Sequence, residues 1–585
     1  MTIEYQFDFS KIRSSLRTDR VEVPTIQPQN WLHRSYAEPE SFWSSLFEEF
    51  QSIHGARKSS IFEHYVFSWD LLHPHQGKGL PALRLYDAIN GWQEYSFDYL
   101  TTQASQVASE WLDKGFEVGS VVCVVLHPGL NFLIAMLTTL KLGGIFSFIP
   151  PQGRTFVKNR LRTLEPAFVV TENKYEVFLG DFADKQLPSG VLPKIEFGSI
   201  HHEVHGYEAE QVVMRLFSPL STNSTEPVEL KASDLYHRLL SDAFLLFGLQ
   251  EGDKLSAPGF HDLQYQPWLF LVSLFSGATF VLTDPDHLIE NAECSDGFEV
   301  TVVGLNHRTR DWLLSRPPTE SAPIRLWFKD VAMPMDWESW ERFSKFFNNE
   351  MRWAMNILAN SAYGGIILFG QKLKSVSHLR IFPSPGNPWS LMDFGGGAES
   401  QMDSSGFFGT PALDFNEHHY GLSILNRPNH RENYFVGTMF GVRGARTYPK
   451  TEVQNLVCRF EAVYDCVVLN AQNAKGYQQG SINLLIFLDA GIFGALSNEN
   501  KNSFRSEIYQ VLSMELGSEF IPGQIELYSL YPEKQDGKID LSWCEEQYRS
   551  GYLQIKQQST VFPVLSELRM LMEKVVESDA EELGT

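Results

Sequence analysis

The stretch SVVCVVLHPGLNFLIAMLTTLKLGGIFSFIPP, Ser120 to Pro151, decides the fold. Ser120–Leu126 is an almost unbroken apolar run, which reads as a strand buried on both faces. Pro128–Leu142 has the length and apolar content of a helix, and Gly143-Gly144 closes it. Ile145–Pro151 is a second buried strand. Strand, crossover helix and strand form the unit from which parallel sheets are built.

Working outward, DYLTTQASQVASEWLDKG (Asp98–Gly115) precedes this unit as a helix, with Asp98 as its expected cap and Gly115 as its stop. Before it, LRLYDAINGWQEYSF (Leu83–Phe97) is two short strands joined at Asn90-Gly91, a hairpin signal. After it, VKNRLRTLE (Val157–Glu165) and AFVVTE (Ala167–Glu172) repeat the helix–strand alternation. The expected fold class is therefore α/β, with doubly wound sheets and helices. Residues 1–82 form a lead-in. Within it Phe42, Trp43, Leu46, Phe47 and Phe50 share one face of a helix over Ala37–His54, expected to dock on the main domain.

A chain of 585 residues is too long for one core. Its 43% hydrophobic and 13% aromatic content is that of a folded protein. A net charge of −23 argues against nonspecific nucleic-acid binding, which needs a basic surface. The five cysteines have no CxxC spacing, so neither a zinc site nor a disulfide framework is expected, and Cys458 and Cys466 read as packing residues. No apolar run is long enough to span a bilayer and the first residues lack a signal-peptide core, so a cytoplasmic location without membrane insertion is expected.

The chemistry-bearing stretch is SPLSTNSTEPVEL, Ser218–Leu230. Ser221, Thr222, Asn223, Ser224 and Thr225 follow a buried strand, VVMRLF (Val212–Phe217). Past Glu226-Pro227, LKASDLYHRLLSDAFLLF (Leu230–Phe247) has helical apolar spacing. Strand, hydroxyl-rich loop and helix suit phosphate, because loop N–H groups and hydroxyls donate and a helix N-terminus is positive. The loop lacks both glycine and lysine, and it reads equally as an ordinary polar turn.

The order of these elements, from about residue 83 to 545, resembles the adenylate-forming superfamily of acyl-CoA synthetases, amino-acid adenylation domains, luciferases and fatty acyl-AMP ligases. What the resemblance implies is a large N-terminal domain (83–430), a small mobile α+β C-terminal domain (437–562) and a terminal helix with an acidic tail (563–585). The resemblance places Ser221–Thr225 at the phosphate loop, with Val228 where the family has lysine. His261-Asp262-Leu263 is similar to the His-Asp run of fatty acyl-AMP ligases, where the histidine gates the acyl pocket. Asp262 also reads as an N-cap for the helix that follows, and Trp268 and Phe270 would line the pocket or pack the core. Lys329-Asp330 stands where two glycines pass adenine.

Trp353–Gly370 corresponds to the Tyr-Gly-x-Thr-Glu signature, with Tyr363 and Gly364 as the adenine-side residues. In one register Ile367 takes the place of the magnesium-binding glutamate, and in the other Ala362 does. Asp414 matches the ribose-binding aspartate and Arg427 the hinge arginine. MFGVRGARTYPKTEVQNLV (Met439–Val457) resembles the start of the small domain, and Lys538 in QDGKID matches the catalytic lysine. The implied reaction takes ATP and Mg2+, activates a fatty or other hydrophobic carboxylic acid, and passes the acyl group to a thiol of an acyl carrier protein or CoA. The four departures in the nucleotide site keep a second expectation open, a degenerate member acting as a partner subunit or acyl-binding module.

Overall fold

The structure is a computed structural model that describes residues 34–54 (36 excepted), 64–187, 203–219, 225–316, 324–330, 337–347, 353–370, 380–386, 390–392, 405–409, 420–427, 432–438, 448–471, 481–488, 492, 496–529, 532, 534–535, 538–550 and 553. The chain divides into two compact units, Met1–Pro151 with Val157–Met439, and Gln152–Phe156 with Phe440–Thr585.

The first unit begins with the helix Pro39–His54, whose Phe42, Trp43, Leu46 and Phe47 are buried. Trp43 stacks on His237 with ring centroids 4.6 Å apart, so this face is packed. The Phe50 side chain lies outside the described residues. β1 (Pro81–Asp87) and β2 (Gly91–Ser96) pair as a hairpin. Its turn is one residue longer than Asn90-Gly91 implies: Asp87 closes it by accepting from the backbone of Ile89 and Asn90, and Gly91, at φ 68°, already opens β2. The helix Phe97–Asp113 is capped by Ser96, which accepts from Tyr99 N at 3.1 Å, and not by Asp98. Asp98, the second helical residue, accepts from Gly77 N at 3.0 Å.

β3 (Val121–Val125), the helix Leu130–Leu142 and β4 (Ile145–Phe148) form the crossover read from the sequence, and the two strands pair in parallel. Val122, Cys123, Val124 and Val125 are fully buried. Each such valine contributes about 1.5–3 kcal/mol relative to exposure, which is why both faces of this strand are apolar. β5 (Phe168–Thr171), β6 (Gln186–Leu187), β7 (Val212–Phe217) and β8 (Pro227–Lys231) complete a six-stranded sheet in the order β6-β5-β3-β4-β7-β8.

β8 corrects a sequence expectation. The polar loop is followed by a strand antiparallel to β7, with Phe217 opposite Pro227 and Leu216 opposite Val228. The helix begins only at Ala232, at the far end of that strand. Its N-terminus therefore lies beyond β8 and does not open the loop. Pro227 ends its donor-free side at the first position of an outer strand, where proline is tolerated, and Leu230 packs inward while Glu229 and Lys231 face out.

β9 (Lys254–Ser256), β10 (Thr279–Leu282), β11 (Val302–Gly304), β12 (Leu326–Asp330) and β13 (Trp353–Asn360) run parallel with β1. β14 (Gly365–Phe369), β15 (Arg380–Pro383), β16 (Ser390–Met392), β17 (Ser405–Gly409), β18 (Tyr420–Arg427) and β19 (Glu432–Thr438) add an antiparallel extension. Together with β2 they make a thirteen-stranded sheet among the described residues. Doubly wound parallel strands with helices are the α/β class expected.

The second unit is α+β. β20 (Val463–Ala471), β21 (Ser481–Leu488) and β22 (Gln524–Tyr528) form a sheet accompanied by the helices Lys450–Val457, Asn498–Glu515 and Leu541–Arg549. Val467, Leu469, Leu485, Phe487, Tyr528, Cys544 and Leu553 make its core. β23 (Lys534–Gln535) and β24 (Lys538–Ile539) are a two-stranded ribbon. Among the described residues no helix is long and apolar enough to cross a membrane.

Candidate active site

In open α/β sheets ligands bind outside the carboxyl ends of parallel strands. Here β9, β11, β12 and β13 are neighbours, and Ser256, Gly304, Asp330 and Asn360 mark their carboxyl ends. The end of β13 is built with care. Asn360 is fully buried, and its Oδ1 accepts from Ala362 N at 3.1 Å, capping a single 3-10 turn, Ser361–Tyr363. Gly364 ends the turn in the left-handed region at φ 81°. Asn360 Nδ2 donates to the Ser218 hydroxyl at 2.6 Å. Ser218 directly follows β7, so the start of the polar loop in one sheet is tied to the turn that ends a strand of the other.

His261 opens a short helix, Asp262–Tyr265, and is itself the cap: its Nδ1 accepts from Gln264 N at 3.3 Å. The cap expected at Asp262 is thereby corrected. The imidazole nitrogen takes the acceptor's place at the cap, and Asp262 is the first helical residue. The Asp262 Oδ2 lies 3.7 Å from His127 Nδ1, and both side chains are exposed. With Nδ1 accepting, a neutral His261 carries its proton on Nε2.

Lys329 and Asp330 are both buried, on opposite faces of β12. Asp330 accepts from the Tyr265 hydroxyl and from Gln264 Nε2 at 3.1 Å, and Gln264 Nε2 also donates to Ala359 O at 2.9 Å. This network joins the ends of β12 and β13 to the His261 helix. Lys329 lies over the Trp340 ring, 5.4 Å from its centroid, a ring that Arg310 shares at 4.9 Å. Burial pushes the Lys329 ammonium down to about 8, against the attraction of Asp330. Trp268 and Phe270 are core residues. Trp268 packs beside Tyr265 and Phe247, and Phe270 stacks on Phe132.

Sequence reading missed Asp242. It lies in a π-helical turn, Ser241–Leu246, and is fully buried. Its Oδ2 accepts from Ile366 N at 2.8 Å and from Trp268 Nε1 at 2.9 Å. Burial pushes its carboxyl up to about 7. Gly365, at φ 143°, makes the contact feasible, because a Cβ there would overlap Asp242 Oδ2. The Trp268 backbone N–H also donates to Ser361 Oγ at 3.3 Å. The available signal was one acid inside the apolar helix run SDAFLLF.

No family model matches the chain. Over most of its length it superposes on solved acid–CoA ligases. Acetoacetyl-CoA synthetase from Streptomyces lividans matches with a TM-score of 0.57 and 15% identity, over 88% of this chain and 89% of that one. o-Succinylbenzoate CoA synthetase from Bacillus subtilis matches at 0.62 and 13%, over 82% and 98%. Benzoate CoA ligase from Burkholderia xenovorans matches at 0.53 and 15%, over 83% and 100%. The fold is that of the adenylate-forming enzymes. In curated sequences, malformin synthetase mlfA of Aspergillus homomorphus is 35% identical over 95 residues, and that of Aspergillus kawachii 36% over 95. Each match takes in 16% of this chain and 2% of the relative.

On this adenylate-forming fold the structure brings His261, Tyr363, Gly364 and the ends of the polar loop to one group of strand ends and turns. Thr225 is half-buried just before β8, whereas Ser221, Thr222, Asn223 and Ser224 lie outside the described residues. Asp414 also lies outside them. Arg427 ends β18, where its backbone pairs with Glu432, and Lys538 opens β24 opposite Gln535; neither side chain is among those described.

Magnesium takes hard oxygen ligands, usually one or two carboxylates. The turn Asn360–Gly364 offers an amide, a hydroxyl and a phenol but no carboxylate. Asp330 and Asp242 each already accept two hydrogen bonds from protein groups. Among the described residues no group of three His, Cys, Asp or Glu could hold a metal ion. These residues do not fit a resident magnesium.

Proposed function

We propose that this chain is an acid-activating ligase of the AMP-forming type, working on a fatty or other hydrophobic carboxylic acid. The observation that carries the reading is the Asn360–Ser218 hydrogen bond, which fixes the polar loop's first residue against the signature turn. In this reading Ser221–Thr225 hold the phosphates of ATP by hydroxyl and backbone N–H donors, and Tyr363 and Gly364 flank the adenine. Asp414 and Arg427 take the ribose hydroxyls and a phosphate oxygen. His261 holds its Nε2 proton toward the acid, and Lys538 neutralises charge as the carboxylate attacks the α-phosphate, the α–β P–O bond breaks and pyrophosphate leaves. The thiol of an acyl carrier protein or of CoA then attacks the acyl carbonyl of the adenylate, so the acyl group becomes a thioester and AMP leaves. Residues 83–430 would form the large domain and 437–562 the small one that delivers Lys538.

The test is ATP–pyrophosphate exchange with a panel of fatty and aryl acids. Acid-dependent exchange that Lys538→Ala abolishes is the expected result. No exchange, and no ATP binding at millimolar concentration by calorimetry, would overturn it.

A second reading is favoured by Lys329 and Asp330. These two buried ionisable side chains stand where, by the resemblance, the family has glycines whose lack of a side chain admits adenine. A member of the fold that holds an acid or acyl group without ATP would retain such a network. Acid binding without nucleotide binding would select this reading.

A further inference from the structure

We propose that Cys458 and Cys466 form a redox-active dithiol, which a small-molecule disulfide such as glutathione disulfide oxidises to an internal cystine. Cys458 is the C-terminal cap of the helix Lys450–Val457, and Cys466 lies on β20. Their sulfur atoms are 3.7 Å apart, in van der Waals contact. A cystine needs about 2.05 Å, and such a closure requires the two backbones to be held side by side. They are so held. Gln454 Nε2, on the last turn of the helix, donates to Cys466 O at 3.0 Å, and Cys466 Sγ faces Gln454 O at 3.8 Å.

The two thiols are not equivalent. Cys458 is exposed, and Cys466 is buried. Contact with the Cys458 sulfur, then burial, push the Cys466 thiol up. That asymmetry orders the reaction. The Cys458 thiolate attacks one sulfur of glutathione disulfide, breaking its S–S bond and releasing glutathione, which takes up a proton. Cys466 then loses its proton and attacks Cys458 Sγ, and the mixed S–S bond breaks to release a second glutathione. The two cysteines lose two electrons and two protons, and the glutathione disulfide gains them. Cys123, Cys294 and Cys544 are buried, with thiols pushed up by burial, so the reaction is confined to this pair. The cystine would pin the helix end to β20 within the second unit, whatever the nucleotide site does.

The experiment uses the full chain, incubated with glutathione disulfide and digested without reduction. A peptide joining Cys458 to Cys466 is expected. In Cys466→Ser, a stable glutathione adduct on Cys458 is expected, and in Cys458→Ser no adduct on Cys466. The wild-type digest needs no variant to fold. A persistent glutathione adduct on wild-type Cys458 without the internal link, or no reaction of Cys458, overturns the proposal.

Discussion

Asn360 Nδ2 donates to the Ser218 hydroxyl across 2.6 Å, and this one bond spans from the thirteen-stranded sheet to the six-stranded one. Both residues are fully buried, so neither group has water as a substitute partner.

Asn360→Ala removes this donor and also the acceptor for Ala362 N. A loss of about 1–3 kcal/mol in urea unfolding is expected, since buried partners are left unsatisfied. A double-mutant cycle with Ser218→Ala should give a coupling of roughly 1 kcal/mol. Strict additivity would mean that the two residues do not act together.

Asp242 makes a pH prediction with a definite sign. Its carboxyl is pushed from 3.8 to about 7, so between these values the native protein holds a proton that the unfolded chain has released. Stability therefore falls as pH rises toward 7, by at most about 1.4 kcal/mol per pH unit. His75 and His237, pushed down to about 4 by burial, act with the opposite sign over part of that range. Asp242→Asn keeps both histidines, so the difference between the two unfolding curves isolates Asp242. That difference should grow in the variant's favour from about pH 4 and level off above pH 7.

Gly365→Ala should be severe. The position is at φ 143°, and the added methyl would overlap the carboxylate that accepts from Ile366 N. A cost of about 3 kcal/mol or more is expected, seen as a lowered thermal midpoint or loss of soluble protein. A variant within measurement error of wild type would refute the packing described for Asp242.

Lys329→Met keeps an apolar stem over Trp340 and removes the buried ammonium. In the wild type the ammonium is pushed from 10.5 to about 8, so between these values the unfolded chain binds the extra proton. Wild-type stability should rise from about pH 8 to about pH 10 relative to the variant, by at most about 1.4 kcal/mol per pH unit. Parallel pH curves would show that Lys329 titrates normally.

If ATP binds, its affinity should not depend on magnesium as it would where a carboxylate anchors the ion. Calorimetric titrations with excess magnesium and with a chelator should differ by less than about threefold, or roughly 0.6 kcal/mol. A tenfold gain with magnesium would point to a ligand outside the described residues.

The parallel core was legible because its strands are apolar on both faces and its crossover helix is closed by glycine. The position of the polar loop was legible for the same reason. β8 was not, because Pro227–Lys231 is short and half-buried, and the strong helical period of the next residues overrode it. The cap at His261 was hidden by its more usual neighbour Asp262. Asp242 acquires its role from Ile366, 124 positions away, and no local pattern encodes a partner at that distance.

Because β7 and β8 pair at Phe217 and Pro227, the polar loop leaves and re-enters the sheet at fixed neighbouring points. The strand pairing then sets where the loop begins and ends, as the ends of a cassette. Doubling such a loop costs only about 0.6 kcal/mol in closure entropy. A glycine- and lysine-bearing loop could be grafted between Ser218 and Pro227 without re-engineering either sheet. Nucleotide affinity gained by that graft would measure what the native loop lacks.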